Sequence, residues 1–370
     1  MARYELLIDG RRCWKAASEE DVRRWLAEYC EAHAGDDPDA VHVQVRQLSA
    51  LSWLTGGKLL ERTLFLVLVL TVFASPAQAA FQPHSLQAGQ RAAIDVAVAT
   101  LWKAPNLYRA IDRPSLTNPV EPVQWSKNLS TTAARVWLDS HVQTQALYAQ
   151  QVVVLARSGG WAKVAVVDEP DPQDPHGYPG WLPVSQLRAG FDASGRSVVV
   201  VSRTGQLLVH GRTLALSYGT RLPLVRWGGD FAVVRTPDGQ GTAVGVEKPF
   251  RPTNASIIAQ AERFLGVHYL WGGLSTWGFD CSGIIWDVYR AHGLTIPRDA
   301  DPQFHHGVAV ARSALRPGDL LFFGSRNYAE HDAIYVGNGR MLEAPDSAHR
   351  VRIVPVRWTY YIGARRYLTR

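Results

Sequence analysis

Cysteine is scarce in this chain. Its 370 residues hold three, Cys13, Cys30 and Cys281, too few for a disulfide-stapled scaffold. No Lys/Arg-rich run or basic helix appears, which removes nucleic acid from the expected partners. The apolar run Leu64 to Phe73 falls short of the roughly 20 residues that a membrane-spanning helix needs. The neighbouring pair His305-His306 lacks metal-ligand spacing, so no metal or other cofactor is expected. Residues 81–190 lack long helical periodicity, apart from a modest pattern near Ala92 to Trp102.

What is present is a globular composition. Apolar residues make up 46% and there are 13 Trp, enough for true cores, and the length suits two or three domains. The net charge is +6; beyond residue 80 the chain carries 30 Lys/Arg against 22 Asp/Glu, or +8. Such a surplus holds a protein to an anionic wall, or simply keeps it soluble, and the second is the plainer reading.

Residues 1–57 read as strand, helix, strand: YELLIDG, then SEEDVRRWLAEYCEAHAG opened by a Ser18/Asp21 capping pattern, then AVHVQVRQL. This is a βαβ-like unit too small to bury much core. Residues 58–80, KLLERTLFLVLVLTVFASPAQAA, have the three parts of a secretory signal peptide: basic start, apolar centre and an Ala77-Gln78-Ala79 cleavage pattern. An internal position is unusual for such a segment. It implies that residues 1–57 are a mis-assigned or fused extension, with translation starting near Leu59 or Leu60. No cysteine lies at the cleavage site, so no lipid anchor is expected. Export and signal cleavage leave Cys281 as the one thiol of the mature protein, with no stable membrane span. A lone thiol kept in an oxidising compartment is a candidate nucleophile.

Residues 81–190 and 191–250 read as short strands between Gly, Pro and Asp turns: ARVWLDS, TQALYAQQVVVLAR, GWAKVAVVD and GYPGWLPVSQL, then SVVVVS and QLLVHGRTLALSYGTRLPLVRWGGDFAVVRTPDG. Small antiparallel barrels have this texture. Trp161 and Phe231 sit in equivalent places, each after a Gly-containing turn and before an alternating strand. The expectation is two SH3-like barrels in tandem. KPFRPTN then leads into residues 251–370. SIIAQAERFLG is an amphipathic helix capped by Asn254 or Ser256.

The chain is organised around Tyr269 to Ile285, YLWGGLSTWGFDCSGII. Cys281 follows a Gly- and aromatic-rich loop and opens a helical run that stops at Gly293. A thiol there faces unpaired backbone N–H groups and the positive end of the helix dipole, both of which favour thiolate. The same N–H groups suit an oxyanion. A small buried hydrophobe is the ordinary reading of a free cysteine. Downstream, YAEHDAIYVGNGRMLEAP reads as a hairpin with His331 at the mouth of its first strand. A cysteine nucleophile needs a base near the thiol and a polar group to orient that base. Glu343 suits the third role on one condition. A plain Asn338-Gly339 turn points it away from His331, whereas a Gly-Asn-Gly loop with a bulge shifts the register by one and brings the two onto one face. The second register is the one expected.

These motifs, with the PRDAxxQ segment (Pro297 to Gln303) and RPGDLLFF (Arg316 to Phe323), resemble NlpC-type cysteine peptidases. With TQALYAQ, GWAKVAV and GYPGWLP ahead of them, residues 95–370 are similar to bacterial γ-D-glutamyl-L-diamino-acid endopeptidases. The resemblance implies an α+β chain, a papain-like NlpC-type catalytic domain after two small all-β SH3-like barrels. Its implied substrates are peptidoglycan stem peptides with a free N-terminal L-Ala, the first barrel walling off one end of the groove. It implies Cys281 as nucleophile and His331 as base. The third position, usually His, Asn or Gln, is Glu343 here. Asp280 and Ser282 are implied to contact substrate, and Tyr148 and Asp112 to hold its amine end. Arg298 and Asp299 are expected to pair structurally. No cofactor is implied, and the expected form is an exported monomer. The alternatives are a non-catalytic wall-binding protein and an amidase or acyltransferase on the same scaffold.

Overall fold

The computed structural model describes residues 86–249 and 251–368, with the backbone of three strands nearer the start, Arg3–Ile8, Arg11–Ala16 and Val43–Leu48. Those three form an antiparallel sheet with Arg3–Ile8 in the middle. This corrects the βαβ expectation, which requires parallel outer strands. The difference arises at Arg11–Ala16, which folds back on the first strand as a hairpin. The helix expected from Ser18 and the signal peptide at 58–80 lie outside the described residues.

Residues 81–370 make one compact unit. Its first part is a seven-stranded sheet assembled from strands between Arg91 and Ala189, and its second a seven-stranded sheet between Ser197 and Glu247. Trp161 and Phe231 each open the fourth strand of their sheet, after turns at Gly159-Gly160 and Gly228-Gly229. The helical pattern near Ala92 to Trp102 proves to be two strands, Arg91–Ile94 and Val98–Trp102, buried almost throughout. Burial on both faces erases the alternation that marks a strand. ARVWLDS, expected as a strand, is helical: Thr132–Val136 followed by a 3₁₀ turn Trp137–Ser140. Thr131 caps it by accepting from the Ala134 N–H, and five residues are too few for a helical period to show.

The third part is a six-stranded antiparallel sheet ordered Val308–Val310, Tyr361–Arg366, Leu320–Ser325, Tyr328–Gly337, Arg340–Glu343, Arg352–Pro355. Helix Asn254–Glu262 opens it, capped by Thr253 rather than Asn254, with Ser256 closing the capping box. Helix Cys281–Ala291 lies on one face of the sheet. Ile284, Trp286 and Val288 pack there with Leu320, Phe322, Ile334 and Leu342 in one core. Leu321, Phe323, Ala333 and Met341 form a second core on the other face, as the two-residue period of strands requires. Each large side chain so buried contributes about 1.5–3 kcal/mol. Every residue of this helix except Cys281 is buried. Of its two charged members, Asp287 is fully buried with no hydrogen-bond partner on either carboxyl oxygen, whereas Arg290 bonds Asp168 of the first sheet region at 2.6 Å and the Gly219 carbonyl of the second at 2.7 Å. The helix that carries the thiol is thus clamped from both sides.

Candidate active site

Asp280 is the N-cap of helix Cys281–Ala291, accepting from the Gly283 N–H at 2.6 Å. Gly283 has a steric reason to be glycine: a Cβ there lies 2.1 Å from the Gly273 carbonyl oxygen. The helix start therefore presses directly on the aromatic loop. That closeness accounts for the D-C-S-G spacing, a cap, a thiol at the first helical position, and a glycine two residues on.

Arg298 holds this arrangement together. It is fully buried and forks onto Asp280 at 2.8 and 3.0 Å. It also donates to Ser282 Oγ at 3.0 Å and to Thr144 Oγ1, on a strand of the first sheet, at 3.0 Å. Burial opposes its charge, but Asp280, Asp299 and Glu169 together push its pKa above the usual arginine value. The expected Arg298–Asp299 pairing exists only loosely, at 3.8 Å. Asp299 instead accepts from the Tyr178 hydroxyl at 2.8 Å. Asp280 and Ser282 are both buried in this network and engaged by Arg298.

The other two residues implied to contact substrate, Tyr148 and Asp112, are buried as well. Tyr148 is fully buried in the core of the second sheet, its hydroxyl on Asp238 at 3.2 Å. Asp112 is fully buried, taken up by the Arg109 guanidinium at 2.9 and 3.0 Å and by Trp125 Nε1 at 2.9 Å. The 3₁₀ turn Ala110–Ser115 is what places Arg109 against it.

On the sheet side, strand Tyr328–Gly337 brings His331 opposite Phe323, with the ring centroids 5.7 Å apart. The hairpin closes by Gly337 pairing with Arg340 around Asn338 and Gly339, both at positive φ, 51° and 68°. This is the two-residue turn, yet Glu343 is not turned away. The register shifts between Tyr335 and Gly337, so that Ile334 faces Leu342 and the His331 face carries Glu343. The bulge that the loop was expected to supply sits in the strand, at Val336. His331 Nε2 lies 2.8 Å from Glu343 Oε2. Glu343 is almost fully buried and also accepts from Arg357 at 2.6 and 2.7 Å and from Arg352 at 3.1 Å. Burial works against its charge, but Arg357 and His331 hold it well below the usual carboxylate range. The carboxylate is thus fixed in charge and position. His331 Nδ1 is buried and makes no hydrogen bond, which leaves that nitrogen for a further partner.

Cys281 is half-buried. The backbone N–H groups of Ser282, on its own helix, and of Asp332, the residue after His331, favour its thiolate form. Burial pushes the thiol pKa up, the Asp332 and Asp280 carboxyls act in the same direction, and the two N–H groups oppose them. Beside His331 a cleft of about 580 Å³ is lined by Phe323, Glu330, Pro345, Asp346, Arg357 and Tyr360, among others. Among the described residues no group of three or more His, Cys, Asp and Glu is placed to hold a metal ion.

Sequence reasoning missed three features. Arg298 is the hub of the nucleophile loop, but its partners at 280 and 144 are joined to it only by folding. Arg352 and Arg357 converge on Glu343 from beyond the hairpin. Asp332 is a carboxylate in an otherwise apolar buried strand run, and that mismatch was visible in HDAIYV.

Comparison with known proteins agrees with this geometry. Residues 266–367 match the profile of the NlpC/P60 family. A γ-D-glutamyl-L-lysine dipeptidyl-peptidase of Bacillus cereus is 39% identical over 305 residues, covering 75% of this chain and 91% of that protein. One of the same name from Bacillus subtilis is 35% identical, covering 72% and 93%. The crystal structure of an NlpC/P60 family protein from Bacillus cereus superposes with a TM-score of 0.72 at 37% identity, over 75% of this chain and all of that one.

Proposed function

The chain belongs to the NlpC/P60 family of cysteine peptidases and is a peptidoglycan hydrolase, and from that premise we propose that it cuts the γ-D-glutamyl–diamino-acid bond of stem peptides bearing a free N-terminal L-Ala. The observation that carries the mechanism is the His331–Glu343 contact at 2.8 Å. It holds the imidazole by one nitrogen, with the other free, on the strand whose next residue, Asp332, acts electrostatically on the Cys281 thiol. In this reading His331 takes the thiol proton at Nδ1 and Cys281 attacks the γ-carbonyl. Helix-start N–H groups, that of Ser282 among them, receive the oxyanion. His331 then protonates the leaving amine of the diamino acid, and water, activated by the same imidazole, hydrolyses the thioester. Glu343 keeps the imidazole oriented and stabilises its cation. The cleft beside His331 accommodates the leaving diamino acid.

The preference for short peptides is read from the first sheet, taken here as an SH3-like barrel. Its strand Val142–Leu147 lies against the nucleophile loop: the Val142 carbonyl accepts from Trp271 Nε1 at 3.1 Å, and Gln145 Oε1 accepts from Ser275 Oγ at 3.0 Å. A wall there closes one end of the groove. Export, on the strength of residues 58–80, belongs to the same reading, since the substrate lies outside the cytoplasmic membrane.

The test is hydrolysis of L-Ala-γ-D-Glu-diamino-acid tripeptides with free and with acetylated N-termini. The free peptide is expected to be cut with a kcat/KM at least about a hundredfold higher, because a wall at the groove end leaves no space for the added acetyl group. Equal rates on both, or release from intact glycan-linked wall at a similar rate, contradict the closed groove.

A further inference from the structure

We propose that Glu330 receives the side-chain ammonium of the leaving diamino acid, so that the cleft beside His331 selects stem peptides in which that amine is free. The proposal deepens the reading of Cys281 and His331 as the catalytic pair and rests on it for the side on which the leaving group lies.

The strand is built to put Glu330 there. His331 pairs with Phe323 and Ala329 with Gly324, which leaves Glu330 as an extra residue with no partner across the ladder. In an unbroken strand neighbouring side chains point to opposite faces, and Glu330 would turn away from the base. A bulge breaks that alternation and re-aims a side chain. Here Glu330 and His331 line the same cleft. Gly324 makes the bulge possible: a Cβ there lies 2.3 Å from the Tyr328 carbonyl oxygen and 2.8 Å from the Glu330 nitrogen. A side chain at 324 would have to push the two strands apart.

Glu330 is also the uncommitted charge of the cleft. The guanidiniums of Arg352 and Arg357 close on Glu343. Asp346 accepts from the Ala348 N–H at 2.8 Å and lies 2.7 Å from His349 Nδ1. Glu330 is exposed, and among the described residues its carboxylate makes no hydrogen bond or ion pair. Arg352 and Arg357 thus stand against Glu330, Glu343 and Asp346, a negative balance that suits a cationic ligand.

The chemistry of the leaving group supplies that cation. His331 protonates the amine on the α-carbon of the diamino acid, so the rest of that residue extends into the cleft beside the imidazole. Its side chain is an aliphatic stem ending in an ammonium. Tyr360, 68% exposed on the cleft wall, offers an apolar surface to the stem. Glu330 offers a carboxylate to the tip, a charge-assisted contact. An acylated amine has lost its charge, so a stem peptide cross-linked through that amine is expected to be a poor substrate.

The experiment compares L-Ala-γ-D-Glu-L-Lys with the same peptide ending in L-norleucine, which keeps an aliphatic stem and lacks the ammonium. Wild type is expected to cut the lysine peptide with a kcat/KM about tenfold or more above that of the norleucine peptide. In Glu330→Gln, made in the full chain, the ratio is expected to fall to about twofold or less. The ratio decides, because altered folding or altered basicity of His331 slows both peptides alike. A wild-type ratio near one, or a ratio kept in Glu330→Gln, overturns the proposal, and in either case cleavage of both peptides leaves the bond specificity intact. Titration calorimetry of Cys281→Ala and of Cys281→Ala/Glu330→Gln with both peptides makes the same comparison without turnover. The first protein is expected to prefer the lysine peptide about tenfold and the second to bind both alike; equal affinities in the first overturn the proposal. If wild type cuts neither peptide while the Glu330-dependent preference in binding is found, the bond specificity fails and the subsite stands.

Discussion

Replacing Arg298 by alanine is expected to lower stability by about 3–5 kcal/mol and to take most of the activity with it. The residue is fully buried and bridges three pieces of chain: the helix start at Asp280 and Ser282, the loop at Gly273, and Thr144 of the first sheet. Its removal leaves the Asp280 carboxylate buried with the Gly283 N–H as its remaining strong donor. It also leaves Thr144 facing Glu169, a carboxyl whose pKa burial already raises to about 8. Arg298→Lys does not restore the two-pronged contact, because an ammonium cannot fork onto a carboxylate. Urea unfolding of the full chain, followed by far-UV circular dichroism, gives the stability change. A loss under about 0.5 kcal/mol places Arg298 among ordinary surface substitutions and contradicts its role as hub.

Cys281→Ala and His331→Ala are each expected to reduce kcat on the tripeptide by a factor of about 10⁴ or more, and the double variant by no more than either alone. The equality follows from the chemistry: without the sulfur there is nothing for the imidazole to deprotonate, and without the base the thiol stays protonated in a site where burial already pushes its pKa up. Glu343→Ala is expected to cost less, about 10² to 10⁴, since it orients rather than transfers a proton. Its loss also frees Arg352 and Arg357, which then adjoin the imidazole without their carboxylate. Single-turnover rates measure all four variants. Additive losses in the double variant indicate that the two residues do not act as a unit.

Much of this site was legible in the sequence because its determinants are local. The D-C-S-G box encodes a cap, a thiol at the first helical position and a close approach that admits only glycine. The hairpin was legible from Gly337-Asn338-Gly339, and so was the need for a register shift to join His331 to Glu343, although the bulge fell at Val336 rather than in the turn. Features set by distant pairing were not legible. Tyr148 and Asp112 drew attention as a tyrosine and a carboxylate in suitable places, but Asp238 and Arg109 were already waiting for them. The short helices between Ala110 and Ser140 left no period to read. Arg298 stood next to Asp299 in sequence and chose Asp280, because the fold puts the helix start within reach of its fork.

The most direct test of the account is product analysis. The full-length protein and its Cys281→Ala variant are incubated with L-Ala-γ-D-Glu-diamino-acid tripeptide, and the products are identified by mass. The account predicts free diamino acid and the dipeptide L-Ala-D-Glu from the wild type, and none from the variant. Cleavage at another bond, or release of diamino acid by the Cys281→Ala variant at the wild-type rate, contradicts it.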